Sequence, residues 1–88
     1  MIEKELIVLN RAGIHTRPAA TLVKLTSRFK SEIFLVKDGF EINAKSIIGV
    51  MTLTAEQGSV LTIKIKGEDE QEAFNSIEIL FKNKFEED

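Results

Sequence analysis

The sequence predicts an α+β fold, an open-faced β-sandwich in which three helices cover one face of a four-stranded antiparallel sheet. Two observations carry this prediction. β-rich segments and amphipathic helical segments follow one another in the order β-α-β-β-α-β-α, which is typical of two split βαβ units. The segment from Leu61 to Lys66 alternates without exception between apolar and polar residues, so one face of the sheet is expected to lie in water.

A strand and a helix are predicted at the start of the chain. The β-rich run at residues 5–9 ends at the turn-like sequence NRAG and predicts the first strand. Residues 16–28 predict an amphipathic helix, with Thr16 as its N-cap and Pro18 in its first turn, where a missing N–H costs nothing. The apolar face of this helix is formed by Ala19, Leu22, Val23, Leu25 and Phe29.

A β-hairpin is predicted next. Residues 32–36 and 40–44 are the second and third strands. Between them, Asp38-Gly39 favours a two-residue turn because both turn positions need φ > 0.

The second half of the chain predicts two helices around the fourth strand. The segment SIIGVMTL fits a strand or a short helix capped by Ser46, and we favour the helix. The last helix follows the acidic sequence GEDE, with Asn83 as its left-handed cap, and the final FEED is expected to be a solvated tail. Its apolar residues at helical spacing are Ala73, Phe74, Ile77, Leu80 and Phe81.

The composition predicts one domain over residues 1–88 in a soluble, cytoplasmic protein. The chain is 43% hydrophobic and 30% charged, which is too apolar for disorder. Its net charge of −2, with both signs interspersed, argues against nucleic-acid binding. It has no cysteine, and no segment approaches the ~18 apolar residues of a membrane span. These properties argue against a disordered, a nucleic-acid-binding or a membrane-spanning protein, but they do not indicate a function.

His15 is the only histidine of the chain, and it stands just before the first helix. A lone histidine is usually a surface or hydrogen-bonded residue. A metal site is poorly supported, because no second histidine or cysteine completes a ligand set. Hydrolytic catalysis is also poorly supported, since no nucleophile elbow or histidine–acid pattern is present.

The position of His15 points to an anion. Free N–H groups and the helix dipole favour negative charge at a helix N-terminus, disfavour a protonated imidazole and leave a ring nitrogen free as a nucleophile. Arg17 supplies a nearby cation, and Gly13 permits a close approach of the chain. From the residues alone, transient phosphoryl attachment and a simple anion-binding loop both stay open.

The sequence GIHTRPAA at residues 13–20 resembles the active-site motif of the HPr family, the histidine phosphocarriers of the bacterial phosphoenolpyruvate–sugar phosphotransferase system. The family pattern is Gly, aliphatic, His, small, Arg, Pro-Ala, and residues 13–19 match it throughout. Thr16 stands where many members have alanine. The resemblance covers nearly the whole chain, including AKSIIGVMTL and EQGSVLTIKIKGEDEQEA.

The resemblance implies a carrier without a cofactor and without a substrate of its own. His15 would accept a phosphoryl group on Nδ1 from phosphorylated enzyme I and pass it to the IIA component of a sugar permease. Arg17 would stabilise the phosphate, together with the backbone of Thr16 and Arg17. The family also implies a monomer that neither binds nucleic acid nor inserts into a membrane.

Ser46 has two interpretations. It can be a simple N-cap, worth about 1 kcal/mol, or a site of regulatory phosphorylation. The resemblance implies phosphorylation by HPr kinase/phosphorylase, followed by binding to a transcriptional regulator, although family members without that kinase also keep this serine.

The residues after Ser46 also have two interpretations. Ile47, Ile48 and Met51 can be core residues or, as the resemblance implies, an exposed patch that docks partner proteins. Lys24 and Arg28 are expected at its rim. Ile48 departs from the methionine or phenylalanine common in the family.

Two further functions remain as alternatives. One is a mainly regulatory protein controlled at Ser46, in a cell without a complete sugar transport system. The other is a small βα domain with an anion-binding loop and no phosphotransfer. A regulator that has lost the active histidine is excluded by His15.

Overall fold

The computed structural model describes residues 1–87, and it confirms the predicted fold class and element order. The strands are β1 (Ile2–Ile7), β2 (Glu32–Lys37), β3 (Phe40–Asn43) and β4 (Val60–Lys66). The helices are α1 (Thr16–Thr26), α2 (Ile47–Thr52) and α3 (Glu70–Lys82), followed by a 3₁₀ turn at Lys84–Glu86. No helix within residues 1–87 is long and apolar enough to cross a membrane.

The sheet has the order β1-β4-β2-β3, and every neighbouring pair is antiparallel. Cross-strand pairs such as Leu6 with Leu61 and Ile33 with Ile65 bring apolar side chains to the same face. The alternation predicted for β4 is confirmed, because Leu61, Ile63 and Ile65 are fully buried. One face of the sheet therefore belongs to the core.

The three helices supply the rest of the core. Helix α3 packs against β1, β4 and α1, while α2 packs against β3 and α1. All five apolar residues predicted for the last helix are buried: Ala73, Phe74, Ile77, Leu80 and Phe81. The hairpin turn is also as predicted, with φ of 52° at Asp38 and 81° at Gly39.

The first strand begins earlier than the sequence indicated. β1 spans Ile2–Ile7, whereas residues 5–9 were predicted. The charged residues Glu3, Lys4 and Glu5 do not resemble a strand in sequence. They are exposed on an edge strand, which is paired to β4 on one side only. α1 likewise ends at Thr26, two residues before the predicted end at 28.

The C-terminal segment contradicts two predictions. Asn83 has a φ of −86° and is not a left-handed cap, and positive φ values occur instead at Lys84, Phe85 and Glu86. The tail is not solvated throughout, because Phe85 is buried with its ring 4.8 Å from that of Phe81. Because the Phe85 ring is buried against Phe81, the chain after α3 turns back onto the rest of the domain. Asp88, the last residue of the predicted tail, lies outside the described residues.

Asp69 ties the start of α3 to the start of β2. Its carboxylate accepts hydrogen bonds from the backbone N–H of Lys30 at 2.9 Å, the backbone N–H of Ser31 at 3.0 Å and the Ser31 hydroxyl. The Ser31 hydroxyl is the main reason that the pKa of Asp69 is lowered from its ordinary value of 3.8. The charged carboxylate is the form that the fold stabilises.

We expect the stabilisation by Asp69 to be complete above its unfolded pKa and to disappear as the pH falls through its lower folded pKa. Asp69→Asn removes this contribution, so its urea midpoint should lie below that of the wild type at neutral pH. The difference should shrink when the comparison is repeated from about pH 6 to about pH 2. Asp38→Asn is the control, because the Asp38 side chain is 86% exposed. A difference independent of pH would contradict the assignment.

Candidate functional site

The loop between β1 and α1 places His15 at the helix N-terminus. Val8 continues the pairing with the segment before β4, through hydrogen bonds with Ser59 and Gly58. Ile14 is buried, and its N–H donates to the carbonyl of Ala55 at 2.8 Å. Hydrogen bonds and apolar burial thus anchor the chain on both sides of the loop, up to the residue before His15.

Asn10 holds this loop from inside. Its side chain is fully buried, and its Nδ2 donates to the Gly13 carbonyl at 2.6 Å. The same nitrogen lies 3.3 Å from Oε1 of Glu87. Because both neighbours are acceptors, the amide nitrogen must face them. Oδ1 of Asn10 is buried and has no partner within residues 1–87.

Gly13 is required where it stands. Its φ is +73°, a left-handed conformation that side chains disfavour. A Cβ atom there would lie 2.5 Å from the Ala55 carbonyl oxygen and 2.9 Å from Cα of Glu56. The close approach expected from the sequence is therefore made to the segment after α2 rather than to the helix that begins at Thr16.

His15 itself is the N-cap of α1, and the prediction of Thr16 for this role is wrong by one residue. His15 is extended, with φ −91° and ψ −164°, and its carbonyl accepts the N–H of Ala19 at 2.9 Å. The imidazole makes no capping hydrogen bond, and 45% of the side chain is exposed. A side chain exposed to this extent at a helix N-terminus is accessible to a reacting group.

The first turn of α1 can hold an anion. The N–H groups of Thr16 and Arg17 precede the first intrahelical donor, no side chain caps the helix, and its first turn has no acidic residue. The Arg17 side chain is exposed and has no hydrogen-bond or ion-pair partner in the described part of the chain. Two backbone donors and one cation therefore lie within two residues of His15.

A carboxylate lies beside Nε2 of the imidazole. Oε2 of Glu87 is 3.4 Å from Nε2 of His15, and the Glu87 side chain is only 16% exposed. Glu87 was not among the predicted site residues, because the acidic end of the chain was expected to be solvated. The available signal was Phe85, which follows Phe81 at helical spacing and carries the tail back to the site.

Helix α2 lies beside α1 and presents an apolar surface to solvent. Ser46 is its exposed N-cap, and its Oγ accepts the N–H of Gly49 at 3.0 Å, as predicted. Val50 is the fully buried residue of this helix. The side chains of Ile47, Ile48 and Met51 are 38%, 73% and 40% exposed, so they are not core residues. We call these three residues the α2 patch.

Comparison with known proteins decides the family. Residues 2–83 match the family described as PTS HPr component phosphorylation site. The phosphocarrier protein HPr of Treponema pallidum is 53% identical over 88 residues, which is 100% of both chains. A crystal structure of HPr from Thermoanaerobacter tengcongensis superimposes with a TM-score of 0.96 at 41% identity, covering 100% of this chain and 99% of that one.

The chain belongs to the HPr family. It is a phosphocarrier of the phosphotransferase system and not an enzyme, as the resemblance implied. The chain also resembles Crh, described as the catabolite repression HPr of Bacillus subtilis, at 41% identity and a TM-score of 0.63, over 91% of this chain and 95% of that one. A dimer of HPr from Thermoanaerobacter tengcongensis matches with a TM-score of 0.80 at 41% identity, over 99% of this chain and 100% of that one. The predicted monomer therefore stays a prediction.

Two residues that were predicted at the rim of the α2 patch line a separate groove. Lys24 and Arg28 are exposed and line a groove together with Leu80 and Glu86. This groove lies between α1 and α3, whereas the α2 patch lies on the neighbouring helix. Within residues 1–87, no group of three or more His, Cys, Asp or Glu side chains could hold a metal ion.

Proposed function

We propose that His15 is the phosphoryl acceptor of this protein and that Nδ1 is the nitrogen that reacts. The observation that carries the proposal is an exposed imidazole at a helix N-terminus whose two backbone donors, the N–H groups of Thr16 and Arg17, precede the first intrahelical donor. Glu87 lies at Nε2, which leaves Nδ1 as the nitrogen for an electrophile. The side chain of Arg17, without an acidic partner in residues 1–87, supports its role as the cation beside the phosphate.

The donor in this proposal is phosphorylated enzyme I, and the recipients are IIA domains of sugar permeases. The lone pair of Nδ1 attacks phosphorus while the donor's bond to phosphorus breaks and its electron pair returns to the donor. In the second transfer a nucleophile of the IIA domain forms a bond to phosphorus with its own electron pair while the P–Nδ1 bond breaks, and the electron pair of that bond stays on Nδ1. The N–H groups of Thr16 and Arg17 stabilise the phosphate oxygens.

The partners in this proposal dock on the α2 patch. Its exposed apolar side chains lie close in space to the loop that carries His15. Ile14, the residue before His15, is hydrogen-bonded to Ala55, which comes just after α2. A small apolar contact suits a carrier that must release each partner quickly. Lys24 and Arg28 line the separate groove between α1 and α3, and in this proposal they supply charged contacts beside the patch rather than within it. We place the protein in the cytoplasm, acting as a monomer and as one HPr-like domain over residues 1–88.

The test combines purified protein, phosphoenolpyruvate and enzyme I. We expect the intact mass to increase by one phosphoryl group that is lost in acid, as phosphohistidine is and phosphoserine is not. Ser46→Ala is the matched variant and should accept the same acid-labile group. No transfer from the enzyme I of the same organism to the folded protein would overturn the carrier assignment and favour the simple anion-binding loop.

A second proposal concerns Ser46 as a site of regulation. Its hydroxyl is exposed, and the α2 patch begins at the next residue. A phosphate there would place two negative charges beside an apolar docking surface. HPr kinase/phosphorylase would add it, and a transcriptional regulator would bind the product. The likeness to Crh, described as a catabolite repression HPr, supports the alternative of a mainly regulatory protein without a complete sugar transport system.

We expect Ser46→Asp to slow phosphoryl acceptance from enzyme I about tenfold, which needs only about 1.4 kcal/mol of lost docking free energy. Ser46→Asn is the control, because asparagine caps a helix as well as aspartate but carries no charge. Rapid-quench measurement of the acceptance rate would compare the two. Equal rates in both variants would contradict the regulatory proposal.

A further inference from the structure

The side-chain carboxylate of Glu87 contacts more than the imidazole of His15. Glu87 bridges two residues of the site loop: Oε1 lies 3.3 Å from Nδ2 of Asn10, and Oε2 lies 3.4 Å from Nε2 of His15. Asn10 is fully buried, so its amide is a fixed donor. The Glu87 carboxylate is therefore oriented by the interior of the protein and presented to the exposed ring.

The backbone before Glu87 adopts an unusual conformation to reach this position. Lys84, Phe85 and Glu86 have φ values of 56°, 56° and 63°, a left-handed run that costs free energy for residues other than glycine. Burial of Phe85 against Phe81 offsets that cost. Hydrogen bonds from the N–H of Glu86 to Asn83 at 2.8 Å and from the N–H of Glu87 to Lys84 at 3.0 Å complete the turn.

We propose that Glu87 is a positioning residue for phosphoryl transfer, which holds the imidazole proton of His15 on Nε2. This inference rests on the proposed function of His15. A carboxylate can only accept a proton from Nε2, so it favours the tautomer in which Nδ1 keeps its lone pair. The present distance of 3.4 Å between Nε2 and Oε2 is longer than a hydrogen bond, and such contacts often tighten only in the reacting complex.

Both half-reactions gain from this arrangement. In the first, the Nδ1 lone pair forms the bond to phosphorus as the donor's bond to phosphorus breaks, and the proton on Nε2 stays in place. In the second, a nucleophile of the recipient forms a bond to phosphorus as the P–Nδ1 bond breaks, and the electron pair of that bond returns to Nδ1. Because Nε2 still carries its proton, His15 leaves as a neutral imidazole rather than as an imidazolate. Glu87 neither takes up nor donates a proton in the balance.

The test uses substitutions at two adjacent glutamates. Glu87→Gln changes the chemistry sharply: its carbonyl oxygen must face the Asn10 amide, so its NH₂ group faces the ring and donates to Nε2. That donation favours the tautomer with the proton on Nδ1, where it blocks the nucleophile. Glu87→Ala removes the partner without adding a donor. Glu86→Gln is the matched control, because Glu86 is exposed and is not the residue in contact with His15.

The first readout needs no phosphoryl transfer. With one histidine in the chain, the ring ¹⁵N chemical shifts report the tautomer of His15 alone. We expect the Nε2–H tautomer to dominate in the wild type and in Glu86→Gln, and the Nδ1–H population to rise clearly in Glu87→Gln. The tautomer can be measured even if enzyme I transfers no phosphoryl group. The measurement therefore separates failure of this inference from failure of the proposed function.

The second readout is the single-turnover rate of phosphoryl acceptance from enzyme I. We expect a loss of about tenfold in Glu87→Gln and about threefold in Glu87→Ala, as is common when a partner that orients a histidine is removed. Glu86→Gln should stay within about twofold of the wild type, because it leaves the contact between Glu87 and His15 unchanged and removes only one exposed charge from the groove of Lys24 and Arg28. Ring shifts and rates in Glu87→Gln equal to those of Glu86→Gln would overturn the proposal. So would a lower unfolding midpoint with an unchanged tautomer, because Glu87 would then only fasten the tail.

Discussion

We expect His15→Ala to accept no phosphoryl group from enzyme I while it unfolds at nearly the same urea concentration as the wild type. The chain has no second histidine to take over the reaction. The imidazole makes no capping hydrogen bond and is 45% exposed, so its removal should change the free energy of unfolding by no more than about 0.5 kcal/mol. Intact mass after incubation with phosphoenolpyruvate and enzyme I measures acceptance.

His15→Asn separates chemistry from helix capping. Asparagine is among the best N-cap residues, so α1 should be as stable as in the wild type or gain up to about 1 kcal/mol. It offers no nucleophilic ring nitrogen, and we expect acceptance to be lost here as well. An acid-labile phosphoryl group on either variant would show that His15 is not the acceptor. Ser46→Ala is the control and should accept the phosphoryl group at the wild-type rate.

Periodic patterns predicted the parts of the fold that local packing controls. The five buried positions of α3, the alternation in β4 and the positive φ values at Asp38 and Gly39 all follow from nearest neighbours in sequence. The start of β1 was not predicted correctly. An edge strand with one exposed face tolerates charged residues, and these resemble a loop in sequence.

The site was predictable only where its residues are adjacent in sequence. His15 and Arg17 share one short motif, and the structure places them at the start of α1 as expected. Glu87 reaches the same site from the far end of the chain, through a backbone turn at residues 84–86 that no local pattern specifies. Asn10 was also missed, since its importance depends on complete burial and on the two acceptors that face it.

Gly13→Ala should be the most damaging small substitution in the site loop, because it adds a collision to an unfavourable backbone conformation. The left-handed φ of +73° costs an alanine roughly 1–2 kcal/mol. The added Cβ would also lie 2.5 Å from the Ala55 carbonyl oxygen, and overpacking of this kind costs about 1–3 kcal/mol more. The total expected loss in the free energy of unfolding is about 2–5 kcal/mol.

Gly39→Ala supplies the matched control for the backbone conformation. Gly39 has a similar φ of +81°, but a Cβ there meets nothing within 4 Å. Its expected loss is therefore only the roughly 1–2 kcal/mol of the left-handed conformation. Urea unfolding of both variants gives the difference, which is the cost of the collision alone. Equal losses would show that the Ala55 segment yields freely and that Gly13 is required only for its φ.

Gly13→Ala should also impair phosphoryl acceptance, whereas Gly39→Ala should not. The Ala55 carbonyl that the new methyl group would displace accepts the N–H of Ile14, the residue before His15. A shift of this hydrogen bond moves the N-cap and, with it, the ring nitrogen relative to the donors of the first turn. Displacements of about 1 Å in a reacting group can cost about a hundredfold in rate. Acceptance by the folded fraction of Gly13→Ala, measured below its unfolding transition, should therefore fall well below that of Gly39→Ala, since the close approach at Gly13 determines where His15 stands.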